Sequence, residues 1–229
     1  MSLINMVIKD IQRTITGAFA YVYEYRKIFA KALLIPITVL VTLESIPFQG
    51  GLSVQILLHA VMPFFIYIIM AITTHRIILL GPESVSEWGL YVPKQRELYF
   101  FMTSIGVGLM FVPLGFFSII PYVGWLITMT VSCYLLARLS LVFPAIATAQ
   151  DWTLSESWKV TKNHQVHMLS VVAIFPFVIG IPEMLLNHVP YMNVFTNLLS
   201  AFTTVFVVAA LSVAFQIITS KLNEVDTAI

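Results

Sequence analysis

The sequence predicts an all-α polytopic membrane protein: a bundle of six transmembrane helices built as three tandem hairpin units, each preceded by a short amphipathic helix on the cytoplasmic face. Three observations lead there. Only 10% of the 229 residues are charged and 59% are hydrophobic; soluble domains carry about 25% charged residues, so these charges are too few to cover a water-facing surface. The apolar residues form runs long enough for a bilayer core of about 30 Å, which takes roughly 20 residues of helix. Proline-bearing breaks and polar loops separate the runs. Helices are preferred to a barrel because the runs are apolar on every face, whereas barrel strands alternate over about 10 residues. Open sheets would leave backbone groups unpaired in hydrocarbon.

Residues 8–25 mix charges with Ile11, Ile15, Phe19, Val22 and Tyr23 at helical spacing, one apolar face of a helix expected to lie along the interface. Lys9, Asp10, Arg13, Glu24, Arg26 and Lys27 make this stretch unlike a secretory signal, so it is expected to be retained. Crossings follow at 28–48, 54–74, 98–119, 123–143, 168–186 and 194–219. Outer turns are short: Ser45-Ile46-Pro47 followed by Gly50 and Gly51, then Ile120-Pro121, then His188-Val189-Pro190. The inner loops, 76–97 and 144–167, are longer and polar.

The basic residues orient the bundle. Lys9, Arg13, Arg26, Lys27, Lys31, Arg76, Lys94, Arg96, Arg138, Lys159, Lys162 and Lys221 all fall on one side of these spans or in the half of a helix nearest it. None lies in an outer turn. Cytoplasmic loops carry the Lys and Arg excess, which places both termini in the cytoplasm and requires an even number of crossings.

A repeat underlies this layout. Arg76 precedes Pro82 by six residues at the end of the second crossing, and Arg138 precedes Pro144 by six at the end of the fourth. Ser84-Val85-Ser86-Glu87 and Thr153-Leu154-Ser155-Glu156 then match the capping box, in which a hydroxyl caps an amide and a glutamate reaches back. Each box is expected to start a short helix with an interfacial tryptophan, Trp88 or Trp158, near its beginning. Residues 1–229 read as a single membrane domain with units at about 5–76, 83–140 and 153–221.

The stretch Ala137-Arg138-Leu139-Ser140-Leu141-Val142-Phe143-Pro144-Ala145-Ile146-Ala147, with Trp152-Thr153-Leu154-Ser155-Glu156-Ser157-Trp158 and Thr161, resembles the YciC-like bacterial inner-membrane proteins. It is also similar to the membrane domain fused to some glycerophosphodiester phosphodiesterases. The resemblance implies a multi-pass protein of the bacterial inner membrane. These residues hold no soluble phosphodiesterase domain, so that chemistry does not carry over.

Several polar residues within the apolar spans are candidates for function. Arg138 is an intramembrane charge, which defaults to a functional hypothesis. Near the inner end it is expected to snorkel as an anchor, and binding of a lipid phosphate or another ligand is the alternative. Glu44 and Glu183 are the acids placed at the outer face, either as helix ends in the headgroup layer or as takers of protons or cations. Gln55 and His59, four residues apart, share a helix face and serve as interhelical hydrogen bonds or as part of a path. His164 and His167 lack the further ligands a metal site needs. Ala210, Ser212, Ala214 and Gln216 give the last crossing a small-residue face suited to close packing.

Nucleotide-binding loops, zinc-protease and hydrolase signatures are absent from the sequence. A single cysteine, Cys133, permits no intrachain disulfide, and a net charge of +1 argues against nucleic acid as a ligand. The expected function is a non-catalytic membrane protein without cofactor or metal: an accessory, assembly or lipid-binding factor. Its expected partners are membrane lipids and a larger membrane complex or a second copy of the chain. The alternative is a small transporter or channel with a pathway lined by Gln55, His59, Arg138 and Glu183.

Overall fold

The computed structural model describes residues 3–45, 51–86, 88 and 95–226. Within them the chain forms seven helices. α1, Leu3–Glu24, passes with one break at Tyr25 into α2, Arg26–Ser45. The Tyr25 amide donates to Tyr21 and its carbonyl accepts from Ile28 and Phe29, each at 2.9 Å, so helical bonding is almost unbroken. α3, Val54–Leu80, α4, Gln95–Phe117, α5, Val123–Ala147, and α6, Leu154–Leu186, follow. α7 is Asn193–Asp226. Six of these, α2 to α7, are long and apolar enough to cross a membrane, and the chain is a multi-pass membrane protein. We call the end holding the α1 start and the α7 finish the terminal end, and its opposite the turn end.

α7 is the axis. α1, α2, α3, α6 and the last turns of α5 all pack on it. Its apolar window is 44% buried, against 11% for α4. The physical reason is size: Ala201, Ala209, Ala210, Ser212 and Ala214 are fully buried, and small side chains let neighbouring backbones approach closely, the main attraction available to helices in lipid. Polar bonds tie the same contacts. The Ser212 hydroxyl donates to the Val208 carbonyl at 2.9 Å, so its oxygen is left to accept from His75 Nδ1 on α3 at 2.8 Å. Gln216 Nε2 donates to the Ile78 carbonyl at 3.3 Å. At the turn end, Asn197 Nδ2 donates to Ser45 Oγ at 3.1 Å. α4 stands on the periphery, where Phe100 packs with Ile68 and Ile72 of α3 and Val142 and Ile146 of α5.

α1 departs from expectation. It is not a helix apart from the bundle but packs against α7 and α6. Its buried stripe is Asp10, Thr14 and Ala18, while Ile4, Ile8, Phe19 and Tyr23 are exposed. The stripe that turns inward is thus the more polar one. Lys221 of α7 pairs with Asp10, and a Cβ at Gly17 would lie 3.1 Å from Val213. In an apolar solvent the interior is where polar groups find partners, so amphipathicity alone does not say which face turns in.

Prolines shape the crossings. In α3 a π-turn, Leu57–Val61, precedes Met62-Pro63, and in α6 another, Ser170–Ile174, precedes Phe175-Pro176. Proline has no amide to donate and its ring crowds the carbonyl four residues back; a widened turn relieves both. α4 answers Pro113 the other way, tightening into a 3-10 segment, Val112–Ile119. α6 also runs longer than expected. The capped helix beginning after Thr153 and the expected crossing form one rod, joined through a 3-10 turn at Lys162–His164.

Of the two capping boxes, the second is formed: Glu156 N donates to Thr153 Oγ1 at 3.3 Å and the Thr153 amide donates back to the Glu156 carboxylate. In the first, Glu87 lies outside the described residues, as do Lys94 and most of the first outer turn. Ser84 itself closes a 3-10 turn, Pro82–Ser84, and its hydroxyl donates to the carbonyls of Gly81 and Arg76 at 2.6 and 3.1 Å. The expected helix start at Ser84 is therefore replaced by a cap on the end of α3.

The α4–α5 hairpin depends on Gly124, where an added Cβ would sit 1.6 Å from the Phe117 carbonyl oxygen and 3.2 Å from Ile120 Cβ. Backbone, not a flexible side chain, blocks the space. Gly124→Ala is expected to lower stability by at least about 2 kcal/mol, read by thermal unfolding in detergent. An unchanged midpoint would show that this close approach does not exist.

Candidate functional site

The candidates fall into two groups at opposite ends of the bundle. At the turn end, Tyr67 of α3 donates its hydroxyl to Glu44 Oε1 of α2 at 3.2 Å and meets the Ser200 side chain of α7. Glu183 of α6 and His59 of α3 are near enough for their charges to act on Glu44. The structure thus brings together Glu44, His59 and Glu183, which are far apart in sequence, around a tyrosine that sequence reasoning did not single out. Gln55 is half-buried in the turn before the π-turn while His59 is exposed within it.

At the terminal end, Arg138 is 2% exposed. It does not snorkel to water, as expected from its place near the helix end, because the first turns of α6 cover it. Its carbonyl accepts from Ser157 Oγ at 2.9 Å and Thr161 Oγ1 at 3.1 Å. These bonds hold α6 against α5 and set Trp158 over the guanidinium, with Cζ 4.5 Å from the ring centroid. Tyr134, one turn earlier on α5, meets the same ring edge-on at 5.8 Å. Nε and Nη1 of Arg138 are buried with no hydrogen-bond partner. Taking an ion out of water costs several kcal/mol even after relaxation, and a cation–π contact returns about 0.5–2 kcal/mol. The contacts described leave this cation under-compensated.

Several other polar groups are paired, while Thr73 Oγ1, Thr74 Oγ1 and Ser140 Oγ are buried without a hydrogen-bond partner. Arg76 and Arg96 flank Glu97 at 4.0 and 3.5 Å, and Glu97 is buried. The Thr14 hydroxyl donates to the Asp10 carbonyl at 2.9 Å, so its oxygen accepts from His167 Nε2 at 2.7 Å. His167 Nδ1 is then a buried acceptor without a donor. His75, Asp10, Thr14 and Glu97 were not singled out from sequence; an ionisable residue at the end of an apolar run was the available signal for His75. A cleft of about 700 Å³ lies between α4 and the end of α5, lined by Gln95, Arg96, Tyr99, Gln150 and Asp151 among others. Trp88 is 49% exposed and Trp158 37%. Among the described residues, no three His, Cys, Asp or Glu side chains gather as a metal ion would need.

No family model, curated protein or solved structure matches this chain.

The Thr14–His167 bond gives α1 a test. Thr14→Val keeps the shape and removes the acceptor, leaving a second unsatisfied nitrogen on a buried imidazole. We expect a loss of about 1 kcal/mol and faster amide exchange confined to α1. Exchange unchanged in α1 would mean that this bond does not hold the helix in place.

Proposed function

We propose that the chain is a non-catalytic protein of the bacterial inner membrane, an accessory, assembly or lipid-binding factor with both termini in the cytoplasm. The observation that carries this reading is the exposed flank of α4. With only 11% of its apolar window buried, α4 leaves Leu98, Met102, Leu109 and Met110 outward and leans on α3 and α5 through a narrow contact. Such a surface is covered in a membrane by lipid, by a second membrane protein or by another copy of this chain. The polar residues support the same reading. Gln55, His59 and Glu183 belong to the turn end and Arg138 to the terminal end, and the core between them is apolar, with Ile66, Met70 and Val205 buried. A transport pathway would need those groups to line one route. In the His75–Ser212 and Thr14–His167 pairs each hydroxyl donates to a carbonyl of its own helix and accepts from the imidazole, so in this arrangement neither imidazole takes the hydroxyl proton, as activation of a nucleophile would require.

The basic residues support the orientation, and the resemblance to YciC-like proteins supports the inner membrane. A reporter active only in the cytoplasm, fused after Lys221, should be active, and the same reporter inserted at Gly51 should be silent. The reverse pattern would overturn the orientation. For the function, purification from native membranes in mild detergent should yield the chain with a lipid or membrane protein in fixed ratio. Solute flux in proteoliposomes that Glu44→Gln abolishes, with nothing co-purifying, would replace this reading with a transporter.

A further inference from the structure

We propose that Arg138 and Trp158 form a binding site for the phosphate of an anionic glycerophospholipid in the leaflet at the terminal end. This rests on the lipid-binding reading above and narrows it to one headgroup chemistry and one place. The carrying observation is the guanidinium itself, buried to 2% exposure with Nε and Nη1 unpartnered. The chain solves the same problem elsewhere by supplying an acid: Glu97 stands between Arg76 and Arg96, and Asp10 meets Lys221. At Arg138 the neighbouring ring contacts are Trp158 and, behind it, Tyr134. An anion from outside the chain is the missing component.

Several features fit a lipid phosphate. A guanidinium edge offers parallel donors that match two oxygens of a phosphate. Trp158 is 37% exposed and Tyr134 40%, and aromatic rings favour headgroup depth. Lys159 and Lys162, on the turns that follow Trp158, are exposed, so positive charge continues from the buried arginine to the surface and selects an anionic headgroup over a zwitterionic one. The surrounding frame is built in advance, because Ser157 and Thr161 both bond the Arg138 carbonyl. That carbonyl cap belongs to the backbone and survives substitution of the side chain. Trp158 lies over the guanidinium face while the unpartnered Nε and Nη1 donate along its edge, so a phosphate bound at that edge leaves the ring in place and the adjacent indole reports the event.

The test uses the full chain in nanodiscs of phosphatidylcholine with or without phosphatidylglycerol, and native mass spectrometry of the detergent-solubilised protein. Phosphatidylglycerol should be retained and should raise the unfolding midpoint above that in phosphatidylcholine alone; equal midpoints together with no retained lipid overturn the proposal without needing any variant. Arg138→Lys should weaken retention about tenfold, since a point charge does not reproduce the paired geometry. Lys159→Gln with Lys162→Gln should weaken it only about twofold, and less at high salt, because exposed charges are screened. Retention equal to the wild type in a folded Arg138→Lys chain overturns the site while leaving general lipid binding intact. Should Arg138→Lys fail to fold, Trp158→Phe and Trp158→Leu decide: Leu should alter retention more than Phe, and equal, unaltered retention counts against the site. Inorganic phosphate that protects the chain in an Arg138-dependent way, where phosphatidylglycerol does not, would overturn the lipid as the source of the phosphate.

Discussion

Inside a bilayer there is no water to release, so helices gain little from hiding apolar surface from one another. Close backbone approach and satisfied polar groups have to hold them. In this chain the condition is met along α7, where Ala209, Ala210, Ser212 and Ala214 are fully buried and five other segments converge. The His75–Ser212 and Gln216–Ile78 bonds lie on this seam. They cost no extra space because serine and alanine leave room for a neighbouring backbone. α4, which has no share in the α7 seam, is the helix with least burial and most lipid-facing surface.

The same constraint explains α1. A helix with charged and apolar faces settles on an interface when water is on one side. Here Asp10 and Thr14 instead meet Lys221 and His167, and each of those partners is itself a polar group on a largely apolar helix. The two sets satisfy one another, and the apolar residues Ile8, Phe19 and Tyr23 are left to the surroundings. Phe19 still touches Phe206 and Phe175, with ring centroids at 4.7 and 6.2 Å, so exposure and packing coexist on one side chain.

Arg76 and Arg138 occupy matching places in the sequence repeat, and their backbones are treated alike. A hydroxyl from the following segment bonds each carbonyl: Ser84 on Arg76, Ser157 and Thr161 on Arg138. Their side chains diverge. Arg76 shares the Glu97 carboxylate with Arg96, which makes it a structural ion pair. Arg138 lies under Trp158 with two buried donors that have no hydrogen-bond partner. One repeat therefore carries a common backbone device and two different surroundings for the charge.

Length and hydropathy determined the number of crossings from the sequence alone, since a bilayer sets how many apolar residues a helix needs. The Thr153–Glu156 box was equally legible, because its donors and acceptors lie three residues apart. Pro63 and Pro176 follow the π-turns of α3 and α6, but a proline inside an apolar run was not read as a deviation, because it does not distinguish a π-turn from a kink. The small-residue face of α7 was legible as a packing surface, but not as the centre of the bundle. What only the tertiary structure decided are the pairs made between distant helices: Asp10 with Lys221, Thr14 with His167, His75 with Ser212, Glu44 with Tyr67. Which face of α1 turns inward, and whether Arg138 reaches water or is closed over, followed from those pairings. The physical reason is that a periodic pattern identifies a helix and its faces, whereas the partner of a buried polar group is chosen by which helices meet, and that choice is made across more than a hundred residues of chain in three of these four pairs.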